Sequence, residues 1–320
     1  MDGRGCLYCA VDTRRLHAFM KIVDAGSITR AADILHIAQP ALSQQVSALE
    51  SQFKQQLLIR SKRGVVPTEA GAALYRHAQR ILRQLELAEA DVAVSARFPA
   101  GRVSVGVAPL SAGSSLGFPL LTAVRERYPD ILLHLNENHG GILSEAIMTG
   151  RMDIALLYGA GPIRGVAFEP VLDEPLVLVT AAAADDPSSE LHDAVAVADL
   201  RTVPLLLPSR VHSLRRAVDA ALLTVRQDAV VVGEVESVRT LVRAVHAGLG
   251  STVLPRSVAR TLPEPDRFAL RRLVEPDVHL TMSICTSDQQ PLSEPATIIH
   301  DMFVQIIHEF AERHGIAPHS

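Results

Sequence analysis

This sequence contains no apolar run approaching the roughly 18 residues that cross a bilayer, and no cationic start leading into an apolar export core. Neither membrane insertion nor export is indicated, and the cytoplasm is the expected compartment. Cysteine is scarce: Cys6, Cys9 and Cys285 are too few for a disulfide framework. Cys6-Leu7-Tyr8-Cys9 has no second Cys/His pair nearby to complete a four-ligand zinc site, so no metal is expected. Also missing are a G-x-S-x-G elbow, a metal-spaced His pair, a GxGxxG loop and a Walker lysine motif. Enzyme chemistry and a bound cofactor are therefore not expected, and isolated histidines such as His134 and His246 read as structural.

What is present is an ordinary folded chain of 320 residues, 48% apolar and 21% charged, long enough for two or three domains. Its net charge of −4 argues against a nucleic-acid partner until its distribution is considered. Residues 1–67 hold nine Lys/Arg against five acids, leaving 22 basic and 30 acidic residues for the remainder. The polarity is a positive head and a negative body. Between Ser51 and Pro67 there are four cations and no acid, a modest footprint for phosphate binding.

The head reads as short helices. Leu16, Phe19, Met20 and Val23 share one face of a helix over 13–25 that Gly26 ends. Ser27 caps a second, in which Ile28, Ala31, Ala32 and Leu35 repeat the spacing. Gln39 is the expected cap of a third, with Pro40 in its first turn, which gives helix-turn-helix spacing. On this third helix Leu42, Val46 and Leu49 form the buried stripe, and Pro40, Ser43, Gln44 and Ser47 lie opposite. A merely solvated face usually carries Lys and Glu pairs. Small uncharged hydrogen-bonding residues at a helix start suit base edges in a major groove: Gln with adenine, Ser with several bases, Pro on a thymine methyl.

"LLIRSKRGVVP" then has two apolar runs around a cationic tip, a hairpin resembling the wing of a winged helix-turn-helix. Arg60, Lys62 and Arg63 are expected on phosphate, where they add affinity and salt dependence but no sequence information. Thr68 caps a helix expected to run to about Ala96. Its Leu74, Ala78, Ile81, Leu85, Ala88 and Val92 make a narrow coiled-coil stripe that calls for a second copy, the alternative being packing on its own body. "RFPAG" (97–101) marks a boundary.

From Arg102 strands and helices alternate: strands at 103–109, 131–137, 152–158, 175–181, 203–208, 229–235 and 280–286, helices at 116–129, 142–150, 213–225 and 294–315, and a further set over 237–255. Two α/β lobes joined by crossing strands would enclose a cleft, and ligands on such sheets bind beyond the carboxyl ends of strands. The candidates there are Ser111, Ser114, Ser115, Asn138, His139, Ser209, Arg210 and Ser237, with Arg210 the natural carboxylate partner. Each could equally be an ordinary loop cap; as a set they favour a small polar or anionic ligand.

"GSITRAADILHIAQPALSQQVSALE" followed by "LLIRSKRGVVPTEAG" resembles the DNA-binding signature of the LysR-type transcriptional regulators, and the likeness extends over roughly residues 12–312. Within that family "KIVDAGSITRAADILHIAQPALSQQV", "PLLTAVRE" and "GEVESV" look closest to the nitrogen assimilation control type. The resemblance implies an α+β chain: an N-terminal winged helix-turn-helix (11–67), a long linker helix for dimerisation (68–100) and a C-terminal two-lobed α/β domain (101–320) like a periplasmic binding protein. Lobe I would hold about 101–174 and 277–320, and lobe II about 175–276. It further implies a homodimer or homotetramer on a pseudo-palindromic double-stranded DNA site, a small-molecule effector that changes DNA bending, and RNA polymerase as a partner. By family position Gln39, Pro40, Ser43 and Gln44 read bases, Arg60 contacts phosphate, and Ser111 and its neighbours form the effector loop; Arg30 is a further expected DNA contact. Two departures stand out. Residues 1–10 look surplus, as if translation began at Val11. Gly140 and Gly141 stand where many relatives place a hydroxyl, which leaves open a cleft that takes no ligand. The competing reading is a ligand-binding protein or enzyme whose N-terminal helices only dimerise.

Overall fold

A computed structural model describes residues 12–61, 64–93, 99–159, 161, 163–182, 194–316 and 319. Val11, the proposed first residue, Cys6 and Cys9 lie outside them, as do Lys62 and Arg63.

The head is built from α1 (Thr13–Ala25), α2 (Ile28–Leu35), α3 (Gln39–Phe53), the hairpin β1 (Leu58–Ser61) and β2 (Gly64–Pro67), and α4 (Glu69–Ala93). Gly26 ends α1 in the left-handed conformation, and the Ser27 hydroxyl accepts the Arg30 N–H to open α2. Two readings shift. The buried residues of α1 are Leu16, Ala18, Phe19 and Ile22, with Met20 and Val23 only half-buried. The helix packs against α2, α3 and α4 together, so its buried arc is broader than one stripe and is turned toward them. On α3 the cap is Ala38, without a side-chain bond, and Pro40 is the second helical residue.

Backbone proximity explains the spacing of the glycines here. Gly64 has φ +126°, and a Cβ on it would sit 2.6 Å from the Gly26 carbonyl oxygen, which accepts the Val65 N–H at 2.8 Å. The wing is thereby fastened to the α1–α2 turn. A Cβ on Gly71 would stand 1.9 Å from the Leu57 carbonyl oxygen, so only glycine lets α4 begin where it does. Thr68 Oγ1 accepts the Gly71 N–H at 3.0 Å and donates to the Gln56 carbonyl at 2.7 Å, capping α4 as its sequence suggests.

The body carries β3 (Gly101–Val107), α5 (Ala112–Arg127), β4 (Ile131–Glu137), α6 (Gly140–Met148), β5 (Ile154–Tyr158), β6 (Val166–Ala181), β7 (Ala194–Ala196), β8 (Pro204–Leu207), α7 (Ser213–Thr224), β9 (Val230–Glu234), α8 (Val238–His246), β10 (Thr252–Pro255), α9 (Arg256–Arg260), β11 (Phe268–Val274), β12 (His279–Ser287) and α10 (Glu294–His314). Strands run in the order β4-β3-β5-β12-β6-β11-β7, with β10 also on β6 and a separate parallel pair of β8 and β9. Strand β6 explains how one chain makes two lobes. Through Pro175 it pairs with β12, and from Leu176 it pairs with β10 and β11. The return crossing is the cis Glu275–Pro276 segment between β11 and β12.

Several boundaries differ from the sequence expectation. Only the second half of β6 is legible by pattern, because Pro170 interrupts the first half, where the register slips opposite Met282 and Ser283. β11 is masked by Arg271 and Arg272 in its middle, and β7 is too short to show a period. Ser111 caps α5 four residues ahead of the expected start at 116, so Pro119 lies inside the helix rather than in its first turn. Likewise α6 begins at Gly140, two residues early.

Candidate nucleic-acid interface and ligand cleft

On α3 the side chains of Leu42, Val46 and Leu49 are fully buried with Phe19, Ile22, Leu57 and Leu58. That packing fixes the helix's rotation and leaves Gln39, Pro40, Gln44 and Ser47 exposed, with Ser43 half-buried. No hydrogen bond engages these polar side chains among the described residues. Arg30 on α2 and Arg60 on β1 are exposed in the same domain.

Sequence reasoning missed what aims this unit. Glu50 Oε1, on α3, accepts the backbone N–H groups of Leu57 at 2.9 Å and Leu58 at 3.2 Å, tying the helix to the base of the wing. Tyr75 of α4 donates to Asp24 at the end of α1; burial and that carboxylate push the phenol up to about 12. An acid at the end of a recognition helix, seven residues before an apolar run, was the available signal.

The expected seam on α4 divides in two. Ala78 is fully buried and Leu74 packs on the domain's own core, so neither stands on an open face as the seam expects. Ile81 (47% exposed), Leu85 (41%) and Ala88 face solvent, and Leu85 borders an apolar groove with Leu35, Ile37 and Leu82. The side chain of Val92 lies outside the described residues.

The body encloses a cavity of about 660 Å³ between its lobes. His139, Gly140 and Gly141 at the start of α6 line one side, with Tyr158 and Phe168; His212 and Arg216 at the start of α7 line the other. Of the eight candidates, the cavity takes only His139. Ser111 is buried and spent as a cap: its hydroxyl donates to the Ala108 carbonyl at 2.5 Å and accepts the Gly113 N–H at 3.0 Å. Ser114 donates to Glu137 at 2.8 Å, and Asn138 accepts the His139 N–H at 3.0 Å. Ser209 gives its N–H to Glu236 at 2.9 Å, and Ser237 caps α8. Ser115 and Arg210 are exposed and do not border the cavity.

The arginine at the cavity is Arg216, whose guanidinium is braced on the Val211 carbonyl at 2.9 Å and the Ser213 hydroxyl at 3.2 Å. His212 caps α7 by accepting the Leu214 N–H at Nδ1, which leaves Nε2 to donate to the Pro109 carbonyl at 3.3 Å. Burial pushes its pKa below the ordinary value, so it stays neutral. Facing it is His139, ring centroids 6.2 Å apart and edge-on, with Nδ1 buried and unpartnered. Burial pushes Glu236 up, but the Ser209 bonds and the two histidines outweigh it and hold the carboxylate below its usual range. Arg216 escaped sequence reasoning because it falls just inside α7, whereas only the loop before the helix was considered; His212 stands in that loop, as the cap of α7, two residues past Arg210 where the candidates stopped.

No three His, Cys, Asp or Glu side chains are grouped for a metal among the described residues. No described helix is long and apolar enough to cross a membrane. Cys285 is fully buried, and burial pushes its thiol up to about 12.

Two family models match this arrangement. Residues 13–72 match the bacterial regulatory helix-turn-helix protein of the lysR family, and residues 96–308 match the LysR substrate binding domain. The chain belongs to the LysR family of transcriptional regulators. Among its LysR relatives, the nitrogen assimilation regulatory protein nac of Escherichia coli K12 is 43% identical over 92% of this chain and 94% of its own length. The protein of the same name from Klebsiella aerogenes is 41% identical over 93% and 95%. Full-length OxyR C199D from Pseudomonas aeruginosa superposes with a TM-score of 0.72 at 24% identity, over 94% of this chain and 96% of that one. CbnR, a LysR regulator solved with its target DNA, gives 0.64 at 23% identity over 94% and 100%. At that identity the two structures speak for the fold alone.

Proposed function

We propose that this LysR regulator binds a pseudo-palindromic operator at nitrogen-metabolism genes in the cytoplasm. The observation that carries the DNA-binding part is the face of α3 with Pro40, Gln44 and Ser47 exposed and Ser43 half-buried, held outward by the burial of Leu42, Val46 and Leu49. Gln39, Pro40, Ser43, Gln44 and Ser47 read bases, and Arg30, Arg60, Lys62 and Arg63 hold phosphate. The nitrogen assignment rests on the two nac relatives. Residues 11–67 form the DNA-binding domain, 68–100 the linker, and 101–320 the sensor. Ile81, Leu85 and Ala88 meet a second copy, and two such dimers make the tetramer that contacts RNA polymerase. The sensor takes a small polar or anionic effector in the cavity bounded by His139 and Arg216. The rival reading, a ligand-binding protein or enzyme whose helices only dimerise, leaves the polar face of α3 without a purpose.

The test is footprinting on the DNA upstream of the protein's own gene and of its neighbours, with a salt titration. Protected half-sites about 10 base pairs apart, or a multiple of that, and affinity falling steeply with salt are expected. Gln44→Ala should lose about 1–3 kcal/mol of discrimination between operator and random DNA, whereas Arg60→Ala should weaken both alike. Equal effects of the two changes on both DNAs would defeat the assignment of base-reading to α3.

A further inference from the structure

The wall of the cavity is joined to the crossing between the lobes by a buried chain of hydrogen bonds. Glu174 lies on β6 opposite Leu280, just before that strand changes partners, and it is fully buried. Its Oε1 accepts the N–H of Ser257, on α9, at 2.9 Å, and its Oε2 accepts the Tyr158 hydroxyl. The Tyr158 oxygen in turn accepts the N–H of Ala112, the first residue of α5, at 3.3 Å. Ser213, the first residue of α7, donates its hydroxyl to the Tyr158 carbonyl at 3.1 Å. Tyr158 also lines the cavity. One residue thus lines the cavity, holds the start of α7 by its main-chain carbonyl, and by its hydroxyl reaches the start of α5 and, through Glu174, the start of α9.

A buried carboxylate is a poor way to gain stability. Its desolvation offsets most of what its hydrogen bonds return, and an apolar pair of equal volume would hold the strands at least as well. What a satisfied polar chain adds is one defined geometry, and it transmits any change at one member to the next. Burial pushes Tyr158 well above its ordinary pKa, with Glu174 adding to the shift, so the phenol keeps its proton and remains the donor.

We infer that Glu174 is the positioning residue through which Tyr158, in the cavity wall, sets how α5 and α9 are held together at the lobe crossing. This rests on the sensor reading above, and it makes displacement of Tyr158 the event by which an occupant is felt in both lobes.

Hydrogen exchange on the full-length chain tests it without an identified ligand. Tyr158→Phe should raise exchange at least tenfold at Ser257, an amide that the lost hydroxyl never touched, as well as at Ala112. Glu174→Gln should do the same at Ala112, and the double variant should exceed neither single one by more than twofold. Gly141→Leu, where a Cβ meets nothing within 4 Å, supplies a stand-in occupant. It should shift exchange at Ser257 in the otherwise native chain and leave it unchanged in Tyr158→Phe. Exchange rising only at the amide beside each substitution, with the effects multiplying in the double variant, overturns the inference. So does an unchanged Ser257 in Gly141→Leu. Should Glu174→Gln not fold, Tyr158→Phe and Gly141→Leu still decide. None of these readouts depends on operator binding, so a failed footprint and a failed coupling are separate results.

Discussion

The head and the body use the same kinds of polar side chain in opposite ways. On α3, Gln39, Gln44 and Ser47 point to solvent and have their hydrogen bonds unmade. In the body, Ser111, Asn138 and Ser237 have theirs made locally, as caps and turn bonds, and Ser114 has its own made to Glu137. A base-reading surface must keep donors and acceptors available until DNA arrives, because a group already satisfied gains little by exchanging partners. A hydroxyl next to a helix start, by contrast, meets bare backbone N–H groups and is taken by them first. Occupying the cap position itself, as Ser111 and Ser237 do on α5 and α8 while Ala38 does on α3, therefore separates the two uses more than residue type does.

The largest effect that would test this division lies at Gly71. Its missing side chain lets α4 start against Leu57, while nothing in the body depends on that approach. Gly71→Ala is expected to destabilise the head by about 3 kcal/mol or more, since backbone rather than a flexible side chain must give way. Thermal unfolding followed by circular dichroism, together with proteolysis, should show the head lost and the body's transition unmoved. A single transition shifting as a whole would show the two regions to be one cooperative unit.

Serine to alanine exchanges sharpen the comparison at a smaller scale. Ser111→Ala should cost about 1 kcal/mol of body stability, the ordinary worth of a helix cap, and leave DNA affinity intact. Ser47→Ala should leave stability within about 0.5 kcal/mol and lower operator affinity. Denaturant melts and binding isotherms on both variants check the pair. An unstable Ser47→Ala, or a Ser111→Ala of native stability, would erase the distinction.

The same difference governs what could be read from the chain. The head was legible because its signals are local: Gly26 and Ser27 mark a turn, Leu42, Val46 and Leu49 a stripe, Gly64 a wing. What escaped there was the bond from Glu50 to Leu57 and Leu58, a contact that periodicity does not encode. In the body the alternation of strand and helix was visible, but the cavity was not. Its walls come from residues more than 70 apart, His139 and His212, brought together by strands that cross between lobes. Arg210 and Arg216 are the same residue type, and only the start of α7 at Ser213 puts the second of them at the cavity. Glu174 sits in the half of β6 that Pro170 hides from pattern reading.

The smallest expected effect is a pH dependence confined to the body, and it turns on His212. Burial lowers its pKa in the folded chain below the ordinary 6.5, while in the unfolded chain it titrates near that value. Below pH 6.5 the unfolded state takes up a proton that the folded state resists. The stability due to neutral His212 is therefore complete above that pH and is lost as pH falls through it toward the folded pKa. His212→Asn isolates this contribution, because asparagine still caps α7 with its side-chain oxygen but does not titrate. Urea melts of the body between pH 7.5 and pH 5 should decline less steeply in the variant than in the native chain, while the two agree at pH 7.5. The substitution lies in the body, so the head's own melting should be insensitive to it at every pH. Parallel declines in native and variant chains would place the acid sensitivity elsewhere and leave His212 as a cap alone.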